Sequence, residues 1–211
     1  MAALTNREII QSVFSRLPPG RVLDFGGGQG EIAAMVQARG HDVTVMDLDA
    51  EHLEVARASG LKTIQGDEDA LDDMKETFDY AILSHVVEHV QCPHEKLLPR
   101  IHNRLKPGGK AVVAVPNVAR LRNRAGLWLG HFSDGMVYQH VRFFTQFTLR
   151  SELTKGGFRV VEEIPFSYDW VTRVAARFSA NFGDELIVVA ERPPGPLKEI
   201  PRERTWKHVG N

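Results

Sequence analysis

Residues 21–30 read Arg-Val-Leu-Asp-Phe-Gly-Gly-Gly-Gln-Gly, and they carry the strongest signal of fold class in the chain. Its first half is a short apolar run, typical of a strand, that stops at Gly26. Glycine lets the backbone take conformations closed to other residues and lets a ligand approach closely. An Ala-rich helical pattern follows over residues 31–39, and the free N–H groups at its start suit a carboxylate or a phosphate. The stretch therefore predicts a strand, a ligand-binding glycine turn and a helix.

The spacing of the glycines separates two classes of ligand. The dinucleotide fingerprint G-x-G-x-x-G needs a small residue, normally glycine, at its sixth position. Counted from Gly26 the sixth position is Glu31, and counted from Gly28 it is Ala33, so neither register fits well. The pattern present is an acid, Asp24, followed two residues later by G-x-G-x-G. This pattern disfavours a nicotinamide or flavin domain.

Strand and helix patterns alternate outward from the glycine turn. Further strands are predicted at 43–46, 61–64, 80–83 and 111–115, with a helix at 51–58 and another from near Pro93 to Pro107. This alternation predicts an α/β fold, a Rossmann-like, seven-stranded, mostly parallel sheet with helices on both faces. The last two strands, 158–164 and 185–190, are separated by a segment of weak helical periodicity, so we expect the final strand to return antiparallel.

Length and composition fit one domain. The chain has 211 residues, of which 43% are hydrophobic and 25% charged, and a net charge of -1, which gives no reason to expect nucleic acid as a partner. One cysteine, no apolar stretch of membrane-spanning length and no secretory signal pattern favour the cytoplasm and no membrane partner. We expect one domain over 1–191, with a substrate-cap insertion at about 117–148, and an extended or mobile tail over 192–211.

Five motifs, in order, resemble those of the class I S-adenosylmethionine-dependent methyltransferases. They are the glycine loop, Asp47 after the second strand, the run 65–67 after the third, the run 78–84 leading into 87–90, and the turn 105–110. The resemblance implies that S-adenosylmethionine is the cofactor and S-adenosylhomocysteine the product. It places Asp47 on the two ribose hydroxyls and Asp67 on the adenine amino group, and a carboxylate suits the first task because it accepts two hydrogen bonds.

The expected cofactor contacts lie at the ends of the first four strands. They comprise Asp24, Gly26, Gly28, Gly30, Asp47, Leu48, Asp67, Glu68 and Ser84. Two simpler interpretations stay open. Asp24 could pin the glycine turn by accepting backbone N–H bonds, and Asp67 with Asp69 could cap a short helix.

The region that follows the fifth strand is expected to recognise the acceptor, because ligands gather outside the carboxyl ends of parallel strands. The runs 116–124 and 140–145 resemble proteins related to the methionine-biosynthesis protein MetW and some sugar and quinone O-methyltransferases. The predicted substrate contacts are Asn117, Arg124, Tyr138 and Arg142. The arginines could form a cradle for a carboxylate or phosphate, or they could be a solvated surface. Phe143 and Phe144 are expected in the core.

Transfer to a hydroxyl requires a base, and His85 and His140 are the candidates. Transfer to an acidic oxygen would need none. His89 suits a structural role at least as well as a catalytic one. The nine histidines show no ligand spacing and the single cysteine gives no thiolate cluster, so no metal site is expected.

The motifs together predict methyl transfer to a small, anionic molecule, with O-methylation favoured. Two alternatives remain. The chain could use the same cofactor for other chemistry, such as cyclisation of its aminobutyryl arm, or it could act as a non-catalytic, MetW-like partner of a metabolic acyltransferase. The motifs do not determine oligomeric state, and a homodimer is one of the states that they allow.

Overall fold

The computed structural model of the chain describes residues 5–131, 140–168, 172, 174 and 182–195. Seven strands form one sheet in the order β3-β2-β1-β4-β5-β7-β6. The strands are β1 Arg21–Phe25, β2 Asp42–Asp47, β3 Lys62–Gln65, β4 Phe78–Ser84, β5 Leu105–Pro116, β6 Arg159–Phe166 and β7 Glu185–Glu191. The predicted α/β architecture is confirmed.

Helices connect the strands and cover both faces of the sheet. They are α1 Asn6–Phe14, α2 Glu31–Gln37, α3 Ala50–Ala58, α4 Ala70–Asp73, α5 Leu98–Arg104, α6 Leu121–Trp128 and α7 Gln146–Lys155, and a 3-10 turn lies at Val87–His89. The helix α1 begins with the capping box of Thr5 and Glu8, in which each side chain bonds the other residue's backbone N–H.

The sheet direction creates a crevice beside β1. The strands β1 to β5 pair in parallel, whereas β7 runs antiparallel to both of its neighbours, β5 and β6. The predicted antiparallel return of the last strand is confirmed. Chain order reverses between β1 and β4, and the carboxyl ends of strands at such a reversal are where ligands bind in open α/β sheets.

The interior strand β5 is buried on both faces. Val113 and Val115 belong to one hydrophobic cluster, and Val112 and Ala114 belong to the cluster on the opposite face. Side chains alternate across a strand, so an apolar run of Val and Ala is what a strand between two helical layers requires. This core holds the carboxyl ends of the strands in place.

The helix predicted from near Pro93 is shorter than expected. It begins at Leu98, and the residues before it form turns in which Glu95 and Lys96 donate to the carbonyl of Cys92. Cys92, just before these turns, has a left-handed φ of 53°. The α5 helix spans only Leu98–Arg104.

The expected cap insertion at 117–148 contains α6 and ends in the first turn of α7. Residues 132–139, which include the predicted substrate contact Tyr138, lie outside the described residues, as do residues 196–211 of the predicted tail. Within the described ranges, every helix is too short or too polar to cross a lipid bilayer.

Candidate cofactor and acceptor site

The glycine loop between β1 and α2 needs glycine at three positions. Gly26, Gly28 and Gly30 have φ angles of 69°, 52° and 80°, in the left-handed region that other residues rarely adopt. The Gly26 N–H donates to the carbonyl of Met46 at 2.7 Å, which fixes the loop against the end of β2. The loop is thus held open at the carboxyl edge of the sheet.

Asp24 is a buried carboxylate beside this loop. Its side chain is 2% exposed, and its Oδ2 has no hydrogen-bond partner among the described residues. Gly27 gives it room, because a Cβ there would lie 2.7 Å from Asp24 Cγ. Burial, with a smaller contribution from the charge of Asp47, raises the pKa of Asp24 to about 7, although a backbone bond from Ala33 opposes the shift. A positively charged ligand would compensate this carboxylate.

Asp47 ends β2 on the opposite side of the loop. Its Oδ2 accepts the Gly28 N–H at 2.8 Å and its Oδ1 accepts the Asp49 N–H at 2.9 Å. Asp49, not Asp47, caps α3 by accepting the N–H groups of Glu51 and His52. The half-buried Asp47 carboxylate therefore supports the loop and faces the crevice.

Two cavities meet at the glycine loop and share Gly26 and His85. The first has a volume of about 510 Å³ and holds four of the predicted cofactor contacts: Asp24, Gly26, Gly28 and Ser84. The second has about 300 Å³ and holds five: Gly26, Asp47, Leu48, Asp67 and Glu68. Gly30 lines neither of these cavities and packs instead against Leu61 and Ala56. The Oδ1 of Asp67 accepts the N–H groups of Asp69 and Ala70, which agrees with the simpler capping interpretation of Asp67 as well.

His85 lies at the junction of the cavities, between two buried glutamates. Its Nδ1 is 3.2 Å from Glu88 Oε1, its Nε2 is 3.4 Å from Glu185 Oε2, and the amide nitrogen of Asn6 is 3.0 Å from the same Nε2. Burial lowers the pKa of His85, but pairing with Glu185 and Glu88 outweighs that effect and raises the pKa to about 10. In this arrangement His85 is protonated at neutral pH and cannot accept a proton from an acceptor.

His140 has the opposite protonation behaviour. Burial, with the charges of His89 and His85, lowers the pKa of His140, although the charge of Glu88 opposes the shift. The ring of His140 lies 5.0 Å from the ring of His89. An imidazole with a lowered pKa is neutral at pH 7 and has a lone pair available for a proton or a cation.

The fold also brings together ligand types that are far apart in the sequence. Glu88, His89 and His140 each offer one ligand atom, and these atoms lie within 4.8 Å of one another. We expected no metal site because the histidines show no ligand spacing along the sequence. Sequence spacing cannot show that these three side chains meet in the folded chain.

The predicted substrate contacts that the structure describes line neither of the two cavities. Asn117 is fully buried, and its amide donates to the carbonyl of Gly183 and accepts the N–H of Ala119, so it anchors the chain after β5. Arg124 donates to the carbonyl of Ala119, and its guanidinium lies 5.0 Å from the ring centre of Phe182.

Arg142 is directed toward α7. One of its nitrogens is 3.9 Å from Glu152 Oε1, and the other oxygen of Glu152 lies 2.7 Å from His94 Nδ1. The neighbouring phenylalanines differ, since Phe144 is in the core as expected but Phe143 is 42% exposed. An anion cradle formed by Arg142 and Arg124 therefore gains no support from the described geometry.

Several residues around the cavities carried no sequence signal. Asn6 and Arg7 of α1 and His52 of α3 line the first cavity, and Glu185 of β7 reaches the junction. Each stands on an element whose position depends on the complete sheet, so no local motif could identify it.

The comparisons with known proteins agree with this geometry. A family model described as a methyltransferase domain matches residues 3–163. A ubiquinone biosynthesis O-methyltransferase from Rickettsia canadensis is 27% identical over 172 residues, which cover 77% of this chain and 72% of that enzyme. The corresponding enzyme from Xylella fastidiosa is 35% identical over 104 residues, 46% of this chain and 42% of its own length.

A solved structure has the same fold. A SAM-dependent methyltransferase from Archaeoglobus fulgidus superposes with a TM-score of 0.66 at 19% identity, covering 88% of this chain and 94% of its own. The predicted use of S-adenosylmethionine is confirmed at the level of the family. The chain belongs to the methyltransferase domain family and is an S-adenosylmethionine-dependent methyltransferase.

Proposed function

We propose that this methyltransferase acts on a hydroxyl oxygen of a small molecule. The observation that carries the proposal is the contact of His140, an imidazole that is neutral at pH 7, with His89. The two rings lie 5.0 Å apart, and His89 lines the second cavity together with His85. The similarity to ubiquinone biosynthesis O-methyltransferases supports an oxygen acceptor.

The described residues fit the cofactor. The free oxygen of buried Asp24 suits the ammonium of its methionine portion, and Asp47 at the end of β2 suits the ribose hydroxyls. Asp67 and the exposed side chain of Leu48 suit the adenine end, in the second cavity. When bound, the cofactor supplies a methyl group activated by a sulfonium.

The protein's own contribution is to orient the acceptor and to remove its proton. A positioned base contributes about 10²–10⁴-fold to such a step. We propose His140 for this task, because His85 is held as an imidazolium by Glu88 and Glu185. The role that we propose for His85 is to offset part of the negative charge of these two carboxylates at the junction, so that they repel less strongly an oxygen that is losing its proton.

The expected negative charge on the acceptor is not part of the proposal. That expectation was based on the arginines of the insertion. Arg142 pairs with Glu152, and Arg124 contacts Ala119 and Phe182. We therefore propose a neutral hydroxyl compound as the acceptor, because, among the described residues, neither cavity is lined by an arginine of the insertion.

A labelled-methyl assay tests the proposed acceptor class. The protein is incubated with S-adenosylmethionine carrying a labelled methyl group and with matched phenols, benzoates and anilines, and products are identified by mass spectrometry. We expect label on phenolic oxygen, with one equivalent of S-adenosylhomocysteine formed. His140→Gln should lower kcat about 10²–10⁴-fold and leave S-adenosylhomocysteine affinity unchanged. Preferential labelling of benzoates or anilines, or consumption of the cofactor without any acceptor, would contradict the proposal.

Cofactor affinity should depend on pH through Asp24. The carboxyl is largely protonated below its pKa of about 7, and a neighbouring cationic ligand favours the ionised form. Binding should therefore release a proton, and affinity for S-adenosylhomocysteine should rise as the pH rises from 6 to 8 and then level off. Calorimetry near pH 7, in two buffers of different ionisation enthalpy, should report about half a proton released.

The matched control for this pH dependence is Asp24→Asn, which keeps the shape but cannot ionise. In that variant the pH dependence between 6 and 8 should disappear. A parent protein whose affinity is flat across this range would show that Asp24 does not face the ligand's positive charge.

A further inference from the structure

A carboxylate and two imidazoles meet beside the acceptor end of the site. Glu88 and His89 lie on the 3-10 turn after β4, whereas His140 follows α6 far along the chain, and one ligand atom from each lies within 4.8 Å of the others. The backbone fixes this arrangement, because the carbonyl of Glu88 accepts the N–H groups of Val141 and Arg142 at 3.1 and 3.0 Å. Backbone hydrogen bonds therefore hold the two segments that carry these three side chains next to each other.

Glu88 is the second, independent observation. Its side chain is 1% exposed, and neither carboxylate oxygen has a hydrogen-bond partner among the described residues. Among the described residues, its ion pair is with His85 at 3.2 Å and is made by Oε1. Burying a carboxylate costs several kcal/mol unless the charge is paired and its lone pairs are satisfied. The Oε2 side of Glu88 lacks that compensation, and a cation there would supply it.

We propose that Glu88, His89 and His140 bind a divalent transition-metal cation of the Zn²⁺ or Co²⁺ class. Two imidazoles and one carboxylate are the ligands that these cations prefer, whereas Mg²⁺ and Ca²⁺ prefer oxygen alone. Three protein ligands leave a coordination position open, which is the arrangement of metal sites that bind a substrate. His89 also lines the second cavity, so the open position is accessible from the acceptor side.

The cation deepens the proposed function and rests on it. An acceptor hydroxyl bound to the cation has a lowered pKa, so its proton passes to solvent. The oxygen then forms the new bond to carbon, and the carbon–sulfur bond breaks with its electron pair remaining on sulfur. In the metal-loaded protein the cation therefore takes over the activation of the hydroxyl, whereas in the metal-free protein His140 keeps its lone pair and acts as the base.

Titration of chelator-treated, metal-free protein with Co²⁺ tests the site without reference to activity. We expect one equivalent to bind, with visible d–d absorption bands, and Zn²⁺ to displace it, whereas excess Mg²⁺ does not. His140→Ala and Glu88→Gln should each weaken Co²⁺ binding more than about 100-fold, since outer partners alone account for 10–100-fold in metal affinity. His131→Ala, at an exposed histidine just after α6, is the matched control and should bind Co²⁺ as the parent does.

The outcomes are separable from those of the proposed function. Co²⁺ binding that is absent in the parent, or unchanged in a folded His140→Ala protein, overturns the metal site. Glu88 is buried, so His140→Ala, at a partly exposed residue, keeps the test valid if Glu88→Gln does not fold. Equal rates of phenol methylation by metal-free and metal-loaded protein would overturn the catalytic role of the cation and leave hydroxyl methylation standing. Failure of hydroxyl methylation in both forms, with Co²⁺ bound, would overturn the proposed function and with it that catalytic role.

Discussion

Replacing Asp47 with alanine should weaken S-adenosylhomocysteine binding by about 1.5–3 kcal/mol, the range for a hydrogen bond to a charged group, which is about 10- to 150-fold in Kd. The carboxylate is the proposed partner of the ribose hydroxyls, and it also accepts the Gly28 N–H at 2.8 Å. Its removal would take away a ligand contact and loosen the loop that surrounds the ligand. The measurement is calorimetry at pH 8, where Asp24 is ionised in both proteins.

Asp49→Ala provides the matched control, because Asp49 is an exposed carboxylate two residues further on. Asp49 caps α3, so its loss should lower the free energy of unfolding by about 1 kcal/mol while leaving cofactor affinity close to that of the parent. An Asp47→Ala protein that binds S-adenosylhomocysteine as tightly as the parent would show that the ribose assignment is wrong.

Gly30→Ala should lower the free energy of unfolding by about 2–5 kcal/mol. A left-handed φ costs a residue with a Cβ about 1–2 kcal/mol, and Gly30 has a φ of 80°. A Cβ there would also lie 2.4 Å from Leu61 Cδ1 and 3.3 Å from Ala56 Cβ, and such overpacking of a core costs about 1–3 kcal/mol more. Urea denaturation of the parent and the variant measures the difference.

Gly60→Ala isolates the packing contribution. Gly60 has the same φ of 80°, but a Cβ at this position would meet nothing within 4 Å. We expect this variant to lose only the backbone cost of about 1–2 kcal/mol. Equal losses in the two variants would mean that α2 does not depend on close packing of the glycine loop against α3 and Leu61.

The fold and the residues that line the two cavities could be predicted in large part because their signals are local. Each signal can be recognised within a few consecutive residues: the glycine spacing after β1, the acid at the end of β2 and the apolar run of β5. The two cavities include eight of the nine predicted cofactor contacts, and Gly30 is the exception because it packs beneath the loop.

The acceptor side could not be predicted in the same way, because its contacts join distant parts of the chain. The sequence identified His85 as a candidate base. It did not indicate that β7 lies beside β5 and brings Glu185 next to His85, where the glutamate favours the protonated imidazole. Likewise, the arginine-rich run suggested an anion cradle, whereas Arg142 pairs with Glu152 on α7. Glu88 and His140 meet only because the chain after α6 bonds back to the 3-10 turn.

Both proposals require that the crevice formed by Asp24, the glycine loop and Asp47 binds the cofactor. Isothermal titration of the folded parent protein with S-adenosylhomocysteine at pH 8 tests this claim most directly. We predict a single site with a micromolar Kd, tighter at pH 8 than at pH 6. A folded protein that gives no binding heat with S-adenosylhomocysteine or with S-adenosylmethionine at either pH would contradict the account.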